Sequence, residues 1–215
     1  MVTQDTEKQP ATDNEPQITG SKLLLLSVLS TTAYLLITIL VFQFLRDGNL
    51  YTAFDHGYTT SFQLSIGIVT GALAASIIGF IIKRPPVADV LNDFYIIEAI
   101  SKMKLTNFDR AQLSAFAGAG EELLFRGAIQ PILGIWITSA IFIGIHGYFK
   151  FTSIGHIIFG VMMFSLSMML GYLFEYAGLI AAMTAHAVYD IIMLQLVQNK
   201  NSMESNRTDL SDKKS

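Results

Sequence analysis

Cysteine is absent from the 215 residues. That excludes a disulfide framework, thiolate metal ligands and a cysteine nucleophile. Charge is scarce as well. Asp, Glu, Lys and Arg together make up 14% of the chain, against about 25% in average soluble domains. The formal net charge of −3 offers no basic surface for nucleic acid, and no nucleic-acid partner is expected. The first 20 residues lack a basic start and an early apolar core, so they do not read as a cleaved signal peptide. Apolar residues are what the chain has in quantity: 52% are hydrophobic, and the mean hydropathy is +0.48.

A membrane-spanning helix needs about 20 mostly apolar residues. Segments 23–45, 62–82, 156–174 and 179–197 satisfy this. A short Glu-Tyr-Ala-Gly turn joins the last two, which predicts an antiparallel pair. Segment 110–133 is long enough to span but carries Glu121, Glu122 and Arg126. Segment 134–146 is apolar but short, so it either starts earlier or ends within the membrane. Between Arg84 and Arg110, apolar residues recur every three or four positions (Val87, Val90, Leu91, Phe94, Ile97, Ile100, Met103). That spacing predicts an amphipathic helix, either at the membrane surface or packed on the bundle. The expected fold is all-α: a polytopic membrane bundle of about six spans plus one amphipathic interfacial helix. Residues 21–198 form the bundle, and 1–20 and 199–215 read as disordered tails.

Orientation follows from Lys and Arg, which concentrate on the cytoplasmic side. With six spans and a cytoplasmic N-terminus, every Lys and Arg except Arg46 and Arg126 falls on that side. Both termini are then cytoplasmic.

Ionisable groups at bilayer depth cost about 2.5–3.5 kcal/mol each and persist when paired or functional. Glu122 and Arg126 are four apart on one helix face and can pair. Glu121 is rotated from them by about 100°. It has no intrahelical partner, which leaves it free for base chemistry. His146 closes an otherwise apolar segment beginning before Phe142, and His186 and Asp190 share a face of the last span. Each has a structural reading alone: the Glu122–Arg126 pair fixes helix packing, His146 is an interfacial residue, and His186 with Asp190 is a hydrogen bond between spans; together they exceed what a merely structural bundle needs. His56 and His156 fall at the bundle edges and are read as non-functional. Met162, Met163, Met168 and Met169 are read as packing residues.

The HExxH metalloprotease pattern is absent, as is a rhomboid-like GxSG motif. Tyr189-Asp190 has no GxGD partner further on. The ordered set Glu121-Glu122-x-x-x-Arg126, Phe142-x-x-x-His146 and His186-x-x-x-Asp190 resembles the three signatures of the CPBP family. These are the CAAX-processing and bacteriocin-processing (Abi-type) intramembrane proteases. The resemblance covers about residues 111–194.

It implies an endopeptidase in which Glu121, helped by His146, activates water. His186 and Asp190 would serve the oxyanion, with Glu122, Arg126 and Phe142 supporting the site. The family commonly has asparagine where this chain has Asp190. An amide donates hydrogen bonds and an ionised carboxylate only accepts. Zinc is possible as a cofactor, held by Glu121, His146 and His186, and a metal-free mechanism would use the same residues. The expected partners are a peptide or membrane-protein substrate and the lipid bilayer. A proton- or ion-coupled transporter, or a non-catalytic scaffold or bacteriocin immunity protein, is the competing expectation.

Overall fold

The computed structural model describes residues 20–46, 49–94, 97, 100, 103 and 105–212. Among these, every regular element is helical. Helix α1 spans Gly20–Leu45 and α2 spans Thr60–Ile81, with a 3₁₀ turn at Leu50–Phe54 between them. A second 3₁₀ turn covers Ala88–Asp93. Helix α3 (Asn107–Glu122) continues through a π-helical segment (Leu123–Ile129) into α4 (Gln130–Ile145). Helices α5 (Ile154–Ala177) and α6 (Leu179–Asp212) complete the chain.

The ends of these helices follow their sequences. Thr106 Oγ1 accepts from Asp109 N at 3.1 Å, and Asp109 Oδ2 accepts from Thr106 N at 2.9 Å. This reciprocal pair satisfies two otherwise unpaired donors at the start of α3. Gly178, at φ 117°, stops α5 and lets α6 begin at the next residue, which produces the antiparallel pair expected from the short turn.

Five helical stretches are long and apolar enough to cross a membrane, so the protein is an integral membrane protein. The expected count was about six. The difference lies in Asn107–Ile145, a single 39-residue helical stretch. A straight helix of that length would measure about 58 Å, twice the roughly 30 Å hydrocarbon core. It does not run straight, because Gly134 breaks it with φ 75° and ψ 167°. Glu121 and His146, on either side of the break, touch, so the chain reverses there. The returning arm, beyond Gly134, is too short to count as a span of its own.

Nothing lies within 4 Å of where a Gly134 Cβ would sit. Its backbone conformation, rather than lack of space, is therefore what requires glycine. Gly134→Ala is expected to cost about 1–3 kcal/mol, read as a lower thermal midpoint in detergent. An unchanged midpoint would mean the reversal does not depend on that conformation.

Helix α6 is packed against α2, α3 and α5. Small residues allow the close approach. A Cβ on Gly71 of α2 would lie 2.4 Å from the Ala185 carbonyl oxygen, and one on Gly118 of α3 would lie 2.7 Å from that of Met183. Such small-residue seams let membrane helices pack backbone to backbone. The outer faces of α1 and α2 carry exposed Leu25, Leu29, Leu36, Ile68, Leu73 and Ile77, as a lipid-facing surface should.

The expected amphipathic helix is corrected in part. Residues 88–93 form a 3₁₀ turn, and Phe94 is extended. Val87, Leu91 and Phe94 are buried in the main core cluster. The tight turn brings these apolar side chains onto one side, where they pack on the bundle. Most of 95–104, including Lys102, lies outside the described residues, as do 1–19 and 213–215. Beyond the apolar part of α6, the helical backbone continues to Asp212, through much of the segment read as a disordered tail. Extending an existing helix avoids the cost of nucleating one.

Candidate active site

Three elements bring the ionisable groups together. Glu121 and Glu122 end α3, His146 follows α4, and His186 and Asp190 lie on α6. Because α3 and α4 run antiparallel, Glu121 Oε2 comes within 3.6 Å of His146 Nε2. The other ring nitrogen of His146 donates to the Phe142 carbonyl at 2.7 Å.

The neighbouring glutamate has a different environment. Glu122 is fully buried, with Oε2 3.1 Å from Arg126 Nε and Oε1 2.8 Å from His186 Nδ1. Arg126 is also fully buried, and its Nη2 donates to the Ser167 carbonyl at 3.1 Å and to Ser167 Oγ at 3.0 Å. One carboxylate thus joins an arginine, a histidine and α5. The His186 Nε2 atom faces Asp190 Oδ2 at 3.5 Å.

Phe142 separates these groups. Its ring centroid is 4.4 Å from that of His146 and 6.1 Å from that of His186, and the Arg126 guanidinium carbon lies 5.1 Å above it. Phe125 meets it edge-on at 4.9 Å. An apolar wall of this kind lowers the local dielectric and strengthens nearby charge contacts.

The π-segment starts immediately after Glu122 and contains Arg126. Its i→i+5 pattern, seen in the bond from Gln130 N to the Phe125 carbonyl, leaves carbonyls to be satisfied from outside. Arg46 donates to the Gly127 carbonyl at 2.5 Å. Nothing in the apolar spacing announces this widened turn, although Gly118, Gly120 and Gly127 are residues at which the helix could bend. The sequence reading missed the Glu122–His186 contact, because residues 64 apart in sequence carry no spacing signal.

His56 and His156 stand away from this cluster. His56 Nε2 bonds the Phe174 carbonyl at 2.7 Å, and His156 Nε2 lies 3.2 Å from Asp93 Oδ2. Met163 and Met168 are buried packing residues. Among the described residues, no group of three His, Asp or Glu side chains converges so as to hold a metal. Both nitrogens of His186 face carboxylates, so neither directs a lone pair to a centre shared with Glu121 and His146. The suggested Glu121, His146 and His186 zinc set does not fit this arrangement.

Residues 108–192, which contain every member of the cluster, match the family model described as Type II CAAX prenyl endopeptidase Rce1-like. The likeness covers about two fifths of the chain. Over 81 residues the chain is also 37% identical to the uncharacterized protein YpbD of Bacillus subtilis (strain 168), which is 37% of this chain and 39% of that protein. The chain therefore matches about two fifths of that relative's length. No solved structure matches significantly. The matched segment includes nearly all of α3, the reversal, α4, α5 and most of the apolar part of α6, so the match and the cluster coincide.

Proposed function

We propose that this chain is an intramembrane endopeptidase whose general base is Glu121. The observation that carries this reading is the asymmetry of the two glutamates. Glu122 is consumed by Arg126 and His186, both at 3.1 Å or closer. Among the described residues, the ion contact of Glu121 is with His146, across 3.6 Å.

That gap suits a bridging water. With His146 Nδ1 donating to Phe142, the neutral ring offers a lone pair at Nε2. A water between Nε2 and Glu121 Oε2 donates one hydrogen to each. Glu121 takes a proton as the water oxygen bonds to the scissile carbonyl carbon. The C–N bond of the tetrahedral intermediate then breaks, and the proton passes from Glu121 to the leaving amine. Water is consumed, and a carboxylic acid and an amine are released, which become a carboxylate and an ammonium at neutral pH. His186, held by Glu122 and Asp190, supplies positive charge to the developing oxyanion. Arg126 keeps Glu122 and therefore His186 in place.

The substrate in this reading is a peptide or membrane-protein segment. The membrane is that of a bacterial cell, with both termini on the cytoplasmic side. Two features support the orientation. Lys150 donates to the Asp93 carbonyl, and the Pro86 carbonyl, two residues after Arg84, packs on Gly155 near the start of α5, so Lys83, Arg84 and Lys150 belong to one end of the bundle. Arg46 and His56 lie at the other end, beside Gly127 and Phe174.

The test is cleavage of a quenched fluorescent peptide library by detergent-purified protein, wild type beside Glu121→Gln, with and without a strong chelator. Cleavage by wild type alone, insensitive to chelation, is expected. Equal cleavage by both proteins would sink the reading. So would proton flux in sealed vesicles that depends on Glu121 and occurs without any cleavage.

A further inference from the structure

Resting on the endopeptidase reading, we infer that Tyr148 is an additional catalytic residue, whose hydroxyl donates a hydrogen bond to the oxyanion of the intermediate. The inference comes from accounting for the donors around the Glu121–His146 pair. His146 Nδ1 is committed to the Phe142 carbonyl. The two nitrogens of His186 face Glu122 and Asp190. The Asp190 carboxylate, when ionised, has no hydrogen to give. Arg126 Nη1 lacks an acceptor but is sealed at 0% exposure, so no substrate reaches it.

Two phenols remain. Tyr34 of α1 packs against Gly120, next to Glu121. Tyr148, two residues after His146, stacks on it with centroids 5.8 Å apart and planes 17° apart. None of the hydrogen bonds among the described residues involves either hydroxyl.

Position separates the two. Tyr148 lines a cavity of about 110 Å³ whose walls include Asp190, Tyr189, Met163 and Phe159. Tyr34 does not line it. The Tyr189 hydroxyl points at Met163 Sδ, 3.9 Å away. Burial first, then the carboxylates of Asp190 and Glu121, holds the Tyr148 phenol above its usual range. It therefore stays an O–H donor throughout the working pH range. Stacked on His146 and lining one cavity with Asp190, the Tyr148 ring stands next to both the water-activating pair and Asp190. An oxyanion formed at that pair would be within its reach.

The test uses the full chain in detergent with a peptide that the wild type cleaves. Tyr148→Phe keeps the ring and its stacking and removes only the hydroxyl. It is expected to lower kcat by about 10²-fold, with little change in KM or thermal midpoint. Tyr34→Phe is expected to keep wild-type kcat. Adding Asp190→Asn to Tyr148→Phe is expected to restore part of the loss, because the amide supplies a donor to the same cavity. Wild-type kcat in Tyr148→Phe, or an equal loss in Tyr34→Phe, would overturn the role of Tyr148 and leave the endopeptidase reading standing. A wild type that cleaves no peptide in the library would overturn that reading and the donor role with it.

Discussion

Glu121→Gln is expected to lower peptide cleavage by about 10²–10⁴-fold while leaving insertion and thermal stability near wild type. The substitution keeps size and shape and removes the ability to take a proton from water. Stability should hold because Glu121 is not part of the buried ion network. Its contact is His146, itself 20% exposed, and Glu121 is 12% exposed. The measurement is kcat alongside the detergent unfolding midpoint. A matching collapse in both would make Glu121 a structural residue. Unchanged kcat would remove it from the chemistry.

The second large effect belongs to the neighbouring residue and takes the opposite form. Arg126→Met is expected to destabilise the protein by about 3–5 kcal/mol, the range for removing one partner of a buried ion pair. Both Arg126 and Glu122 are fully buried. The change leaves Glu122 without its cation and frees the Ser167 carbonyl and hydroxyl that Arg126 bonds. Removing both charges, as in Glu122→Gln with Arg126→Met, should recover much of the stability, since no unpaired charge remains. Activity should not recover, because His186 then loses the carboxylate that holds it at 2.8 Å. Reversible unfolding in mixed detergent reads the first effect, and peptide cleavage reads the second. A loss below about 1 kcal/mol for Arg126→Met would be that of an exposed pair, and the sealed network would then not be what positions His186.

The adjacent glutamates have different partners. The α-helix turns about 100° per residue, so Glu121 and Glu122 cannot face the same partner. Glu122 faces inward to Arg126, Ser167 and His186. Glu121 faces the end of the returning arm, at His146. The Glu122–Arg126 pairing was visible in the sequence because it is local, four residues along one helix. Glu121's lack of an intrahelical partner was visible for the same reason.

The fold class was legible too, because the bilayer imposes a length and a polarity that composition alone must meet. The span count was less so. Nothing in the apolar pattern of 134–146 states whether a short arm crosses or turns back. That depends on the backbone torsions of Gly134, and glycine adopts many conformations. The segment after Arg84 shows the same limit. Its three-and-four spacing suits an α-helix, yet 88–93 forms a 3₁₀ turn, because burial of Val87, Leu91 and Phe94 outweighs local preference.

By itself, then, the sequence determined the membrane character, the helical class, the ionisable residues at depth and the pairs that lie within one helix turn. Those follow from composition and from periodicity, which are local properties. The tertiary structure alone decided the reversal at Gly134, the contact of Glu121 with His146 and the contact of Glu122 with His186. It also decided that Tyr148 stands beside Asp190. Each of these joins groups on different elements, and only the packing of α3, α4 and α6 against one another sets those distances.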